Sequence, residues 1–165
     1  MFKKILFLCS IVLMSFLFST KVSAKETVTI PEDVKAYCEK YAEEYEVSPY
    51  LLMSICWQET RCRANLENAG CKGMCQISEK YHKSEMELLG LDDLFDAEQN
   101  IQLCAYIVKQ LSEKNKDEYY ILMCYNCGSG RGKKLYKQGV RTKYAKTVIA
   151  NSEYLREVYE NEQNK

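Results

Sequence analysis

Histidine occurs once in the 165 residues, as His82. Cys124 and Cys127 have the C-x-x-C spacing of half a zinc site, but no second such pair follows and His82 lies far from them. A zinc centre is therefore the weaker reading of these cysteines. Net charge is missing as well: 23 basic residues balance 23 acidic ones. That removes any global electrostatic case for nucleic-acid binding. No long apolar run is present beyond Ile5 to Phe18, about 14 residues against the roughly 20 that span a bilayer. No internal repeat, no low-complexity tract and no convincing strand of more than a few residues occurs.

What is there begins with an address. Lys3 and Lys4 precede the apolar run, and Val22-Ser23-Ala24 supplies small residues for cleavage. Residues 1–24 read as a secretory signal peptide, with a membrane anchor as the rival that the short run disfavours. Cys9 does not stand in a lipid-anchor arrangement. Removal of the segment takes Lys3, Lys4 and Lys21 and no acid, leaving a charge of about −3. The remainder is one domain's worth of chain.

Eight cysteines remain: Cys38, Cys56, Cys62, Cys71, Cys75, Cys104, Cys124 and Cys127. An even count in a small exported chain favours disulfides. The plainer alternative is that some stay reduced as small buried hydrophobes.

Residues 25–32 form a short lead-in, 33–160 the domain, and 161–165 a frayed tail. Pro31 opens a first helix carrying Val34, Tyr37, Tyr41, Ala42 and Tyr45 on one face. Ser48-Pro49 is a cap followed by a first-turn proline. The helix it starts, from Tyr50 to about Thr60, is apolar nearly all round and so central. Residues 61–72 read as a loop, and Gly73 to Ser78 as short and irregular. A short helix near Lys80–Leu89 stops at Gly90. Asp96 with Gln99 suggests a capping box before the stripe Ile101, Cys104, Ala105, Val108, Leu111. Another buried helix covers Tyr119 to Tyr125. Residues 128–140 read as a glycine-rich connection, and a final helix starts near Thr142. The fold class expected is all-α.

Glu59 closes the apolar central helix, beside Trp57. Desolvation there disfavours the charged carboxylate and raises its pKa, which is what a general acid needs. Standing alone, it would read as an ordinary helix-end glutamate. Its company changes that. Glu59-Thr60 is followed by Gly70-Cys71-Lys72-Gly73-Met74-Cys75-Gln76-Ile77, then by Tyr125-Asn126 with Gly128, then by Tyr144 with Val148.

Those four segments, in that order, resemble the soluble lytic transglycosylase family, whose helical fold is shared with goose-type lysozymes. The resemblance covers roughly residues 33–150. It implies a single lysozyme-like domain with Glu59 as the catalytic glutamate. Thr60 stands beside it, and Gly73, Met74 and Gln76 match the segment that walls the sugar cleft. Tyr125 and Asn126 match a pair near the carboxylate, and Tyr144 the late tyrosine that closes the site. Tyrosine faces suit pyranose rings and amides suit acetamido groups. The glycines would let backbone approach substrate closely. Each residue also has an ordinary structural reading: Tyr125 as core, Asn126 as a helix cap, Gly73 as a turn.

The sequence departs from the family where small or apolar positions become cysteine, and where Cys62 replaces a usual aromatic. This reads as a disulfide-stapled core, with Cys62–Cys71 closing the loop after Glu59 and Cys104–Cys124 tying two helices. Glu67 or Asn68 takes the place of a polar loop residue, and Val140 that of a glutamate before the late tyrosine. The implied reaction cuts the bond between N-acetylmuramic acid and N-acetylglucosamine, with Glu59 as acid and then base and a 1,6-anhydro end as product. The sugar's own C6 hydroxyl is the nucleophile, so a second carboxylate is not required. No metal or organic cofactor is implied. Acids near Asp92–Asp96 leave a hydrolytic, lysozyme-like route open. A glycan-binding module without catalysis is the rival of another class.

The partner implied is the peptidoglycan glycan strand, met outside the cytoplasm by a monomer with no stable membrane insertion once the signal is removed. Secretion or conjugation machinery is a further partner such an enzyme would serve. Gly128 to Lys133 lacks phosphate-loop spacing and follows no strand. Between Arg131 and Lys146 lie seven basic residues and no acid. They suit an anionic wall, or equally make a solvated basic face.

Overall fold

The computed structural model describes residues 27–163; the signal-peptide reading falls outside them. Helix α1 (Glu32–Tyr45) follows Pro31 at its cap and ends at Glu46, which takes a left-handed φ of 53°. Helix α2 (Pro49–Thr60) is capped by Ser48, whose Oγ accepts from the Leu51 N–H at 3.3 Å. Leu51 through Cys56 are all buried, so α2 is the axis around which α1, α4 and α7 pack. A helix without a polar face has nowhere else to go.

After α2 the chain forms three two-residue antiparallel strands in sequential order: β1 (Glu67–Asn68), β2 (Cys71–Lys72) and β3 (Ile77–Ser78). Glu67 pairs with Lys72, and Cys71 with Ser78. Helix α3 (Glu79–Leu89) is broken by non-helical backbone at His82 and stops at Gly90 with φ 69°. Helix α4 (Ala97–Lys114) is capped by Asp96, which accepts from the Gln99 N–H at 2.8 Å. The Gln99 side chain does not return to Asp96. Its Oε1 accepts from the N–H groups of Asp92 and Asp93, which ties down the preceding loop. Helix α5 (Glu118–Cys127) is capped by Asp117.

The supposed glycine-rich connection is a helix, α6 (Ser129–Lys137). Gly132 explains it: a Cβ there would lie 2.6 Å from the backbone of Cys124. The glycine lets α6 lie directly on α5, and that packing outweighs a poor intrinsic propensity. Helix α7 (Lys143–Gln163) then returns across α2 and α5. Leu52, Met53, Ile55, Ile101, Leu103 and Leu122 form the centre of the core.

The domain is all-α apart from the small sheet, but it is not disulfide-stapled. The eight cysteines of the described residues are free thiols. Cys38, Cys56, Cys75 and Cys104 are each fully buried and pack as small hydrophobes. Cys56 Sγ and Cys75 Sγ approach to 3.4 Å, far from the roughly 2.05 Å of a bond. Cys104 lies beside Cys75 and Cys38 rather than Cys124. The Cys124 thiol is directed at the Ser129 carbonyl instead. Cys62 sits in the turn after α2 with φ 60°, and burial pushes its thiol up to about 12. Cys71 belongs to β2 and faces a cavity.

Candidate active site

Glu59 occupies the last turn of α2, and Arg61 ends that helix in the left-handed conformation. Its carboxyl is half-buried. Burial raises its pKa above the ordinary 4.5, and a hydrogen bond from Tyr144 works against that rise. The Tyr144 hydroxyl donates to Glu59 Oε1 at 2.7 Å, from α7 packed alongside α2. Burial first, and then the neighbouring carboxylate, push the tyrosine's own pKa well up, so it remains a donor. A carboxylic acid in this setting holds its proton to higher pH than a solvated one, and its anion is caught by a fixed donor once the proton leaves.

The segment between β2 and β3 forms the facing wall and is pinned from three sides. Thr60 Oγ1 donates to the Met74 carbonyl at 2.9 Å. Asn100, fully buried on α4, accepts from the Cys75 N–H at 2.8 Å and donates to the carbonyls of Leu94 and Lys72. The Tyr125 hydroxyl, from α5, donates to the Cys75 carbonyl at 2.7 Å. Gln76, at φ 51°, donates its Nε2 to the carbonyls of Leu66 and Gly73.

A cavity of about 820 Å³ opens in front of this wall, within the size range of small-molecule clefts. Glu59, Gln76, Tyr125 and Asn126 line it. Tyr125 meets it with its ring, since its hydroxyl is spent on Cys75. Asn126 is exposed, and its side-chain amide makes no hydrogen bond within the described residues. It is open to hydrogen-bond with a bound ligand. Thr60 and Met74 are buried and stand behind the wall. Gly73 also serves the wall: a Cβ there would lie 1.9 Å from the Leu94 carbonyl and 2.3 Å from Asn100 Nδ2. The close approach that needs glycine is thus the protein's own asparagine.

Sequence reasoning missed Asn100, whose only signal is a polar residue set next to the apolar stripe of α4. It also missed Tyr81, 73% exposed and lining the cavity. The acids at Asp92–Asp96 do not line it. Asp96 caps α4, Asp93 accepts from the Phe95 N–H, and Asp92 accepts from Gln99. The second carboxylate on the cavity is Glu85. Among the described residues no group of three or more His, Cys, Asp or Glu side chains is placed to hold a metal ion. None of the described helices is long and apolar enough to cross a membrane.

A half-buried carboxyl group thus stands at the head of an aromatic-lined cleft in a small helical domain. The sequence matches the transglycosylase SLT domain over residues 36–160, and the chain belongs to that family. Its fold is similar to that of the 70 kDa soluble lytic transglycosylase from Escherichia coli, with a TM-score of 0.65 and 19% identity over 75% of this chain and 24% of that one. An inactive variant of the lytic transglycosylase Slt from Pseudomonas aeruginosa gives a TM-score of 0.63 and 16% identity, over 72% of this chain and 23% of that one. At these identities the likeness is one of fold, and the chain spans about a quarter of either relative's length. No curated protein matches the chain.

The Tyr144 contact leads to a testable pH effect. Its hydrogen bond lowers the Glu59 pKa. Tyr144→Phe should therefore let Glu59 stay protonated to higher pH and move the alkaline limb of kcat/KM upward. An unmoved limb would show that Glu59 is not the acid being titrated.

Proposed function

We propose that the protein cleaves peptidoglycan outside the cytoplasm, at the β-1,4 bond between N-acetylmuramic acid and N-acetylglucosamine. The observation that carries this reading is the Glu59 carboxyl at the head of the cavity, its pKa raised by burial and its Oε1 accepting a hydrogen bond from Tyr144. Glu59 gives its proton to the bridging oxygen, and the bond from that oxygen to the anomeric carbon breaks. The sugar's acetamido oxygen relieves the positive charge. Ionised Glu59, steadied by the Tyr144 hydroxyl, then takes the proton of the C6 hydroxyl, whose oxygen bonds to the anomeric carbon. The product is a 1,6-anhydro end, water is not consumed, and Glu59 finishes protonated as it began. An internal nucleophile has a high effective molarity, so one carboxylic acid suffices.

Mass spectrometry of fragments released from purified peptidoglycan tests this reading. Anhydro ends are expected. Fragments one water heavier would instead favour hydrolysis, with Glu85 as the candidate second carboxylate because it lines the same cavity. No release by the folded protein would leave a glycan-binding module.

Tyr81 should act as a stacking platform at the mouth of the cavity. Tyr81→Ala is expected to raise KM about fivefold, the loss of one aromatic contact, with kcat little changed. A kcat effect of equal size would place the ring at the reaction centre instead.

A further inference from the structure

Charge is unevenly placed along the chain. Residues 27–163 carry 18 basic and 22 acidic side chains, and seven of the basic ones lie between Arg131 and Lys146. No acid occurs from Tyr119 to Ser152. The basic stretch comprises α6, a turn at Gly139 with φ 74°, and the start of α7. Gly132, Leu135 and Tyr136 form the inner face of α6, with Gly132 on the Cys124 backbone and Tyr136 against the Tyr120 ring. Helical spacing puts Lys133, Lys134 and Lys137 on the opposite face, and all three are exposed. Lys143 and Lys146, also exposed, occupy the first turn of α7. None of these five lysines makes an ion pair or a side-chain hydrogen bond among the described residues. Lysines elsewhere do find acids: Lys40 pairs with Glu98, Lys72 with Glu79 and Lys109 with Glu46. Arg141 is taken up by the fold itself, 4.4 Å from the Tyr136 ring centroid and 3.9 Å from Asp117.

This arrangement works against the fold. Like charges three or four residues apart repel along α6. The cations of α7 stand at the end where the helix dipole is positive, and no acid in that turn relieves them. A partner with regularly spaced negative charge offsets both costs. The surroundings narrow its class. Val140 is the one large apolar side chain exposed between residues 129 and 146, too little to seat the face in a bilayer. Tyr136 and Tyr144 are half-buried and packed on the core, so neither offers a free ring for stacking on bases. Lysine is a compact point charge that meets phosphate without the fixed fork of arginine, which suits a flexible chain of phosphodiesters. Gly128 and Ser129, where α6 begins, line the cavity, so the basic face starts at the rim of the cleft. We propose that Lys133, Lys134, Lys137, Lys143 and Lys146 form a docking face for a phosphodiester polymer of the cell wall. The face holds the protein on wall whose glycan carries such chains. This rests on the reading of the protein as a peptidoglycan-cleaving enzyme.

Cosedimentation with purified walls rich in phosphodiester polymer tests the face. Hydrofluoric acid cleaves the phosphodiesters and leaves the glycan, giving intact and stripped walls of one origin. The full chain carrying Glu59→Gln binds without consuming the walls. It is expected to hold intact walls about tenfold more tightly than stripped ones at low salt, the ratio falling to about twofold near 0.5 M salt. Changing all five lysines to glutamine should bring the two affinities within about twofold of each other. Glutamine matches lysine in helix propensity, so both helices persist. Lys134→Gln with Lys137→Gln should alone weaken binding to intact walls about threefold. Lys83→Gln with Lys116→Gln, the same loss of charge at exposed positions elsewhere, should leave it unchanged. Equal losses from the two pairs would reduce the effect to net charge and overturn the proposal. Equal binding of the Glu59→Gln protein to intact and stripped walls would overturn it too. Tighter binding to anionic phospholipid vesicles or duplex DNA than to intact walls would assign the face to another polyanion and reject the wall polymer. Failure of the protein with Glu59 in place to cut stripped walls would count against the catalytic reading alone, because the affinity ratio decides the docking face independently.

Discussion

Replacing Glu59 by glutamine is expected to reduce glycan cleavage by about 10²- to 10⁴-fold while strand binding persists. The amide keeps the shape and can still accept the Tyr144 hydroxyl, but it has no proton to give. The loss corresponds to roughly 3–5 kcal/mol of transition-state stabilisation. The same substitution should stabilise the fold at neutral pH. Burial raises the folded-state pKa of Glu59 above its ordinary 4.5, so the native protein binds more protons than the unfolded chain in the window between the two values. Stability therefore falls as pH rises through that window, and the penalty persists above it. Glutamine carries no such penalty. The variant should melt higher than the parent at pH 7 and alongside it at pH 4. An identical melting difference at both pH values would mean that the carboxyl is not desolvated. Unchanged cleavage would remove Glu59 from the reaction.

The second large effect is structural. Gly73→Ala should destabilise the domain by about 4 kcal/mol or more, a substantial share of the 5–15 kcal/mol typical of a domain. The added Cβ would stand 1.9 Å from the Leu94 carbonyl and 2.3 Å from Asn100 Nδ2. Neither can retreat cheaply. Asn100 is buried and its side chain serves three backbone groups, so moving it strands several polar atoms away from water. The backbone at φ 73° adds about 1–2 kcal/mol for any residue with a Cβ. Melting should fall by more than about 10 °C. Gly70→Ala is the control: its φ of 78° is as unfavourable, but nothing lies within 4 Å of the new methyl. It should cost only the backbone share, about 1–2 kcal/mol. Equal effects at the two glycines would mean that the clash with Asn100 is relieved by movement of the wall.

The contrast between these glycines shows which features a sequence exposes. Ser48-Pro49, Asp96 and Gly90 mark helix ends by local chemistry, and the structure uses each of them where that chemistry puts it. Glu59, Gln76, Tyr125 and Asn126 are far apart in sequence, yet their segments could be picked out by residue type and order. Helix α6 could not. Gly130 and Gly132 argue against a helix locally, and only the backbone of α5 beneath Gly132 reverses the balance. The thiols were misread for a related reason. An even cysteine count carries no geometry, and five of the eight side chains simply fill core volume. Glu85 reached the cavity through a bend at His82 that no residue pattern announces.

The bond between Tyr144 and Glu59 joins residues 85 positions apart. Contacts that close so much chain carry a high entropic cost and form late, after the nearer pairings have shortened the effective loop. The acid and the donor that steadies its anion therefore meet only when α7 has come home across α2. A chain still being synthesised has Glu59 in water with no tyrosine beside it, as an ordinary glutamate. On the proposed reading of Glu59 as the acid, its chemistry waits on the docking of α7, so that completion of the fold is what assembles the site.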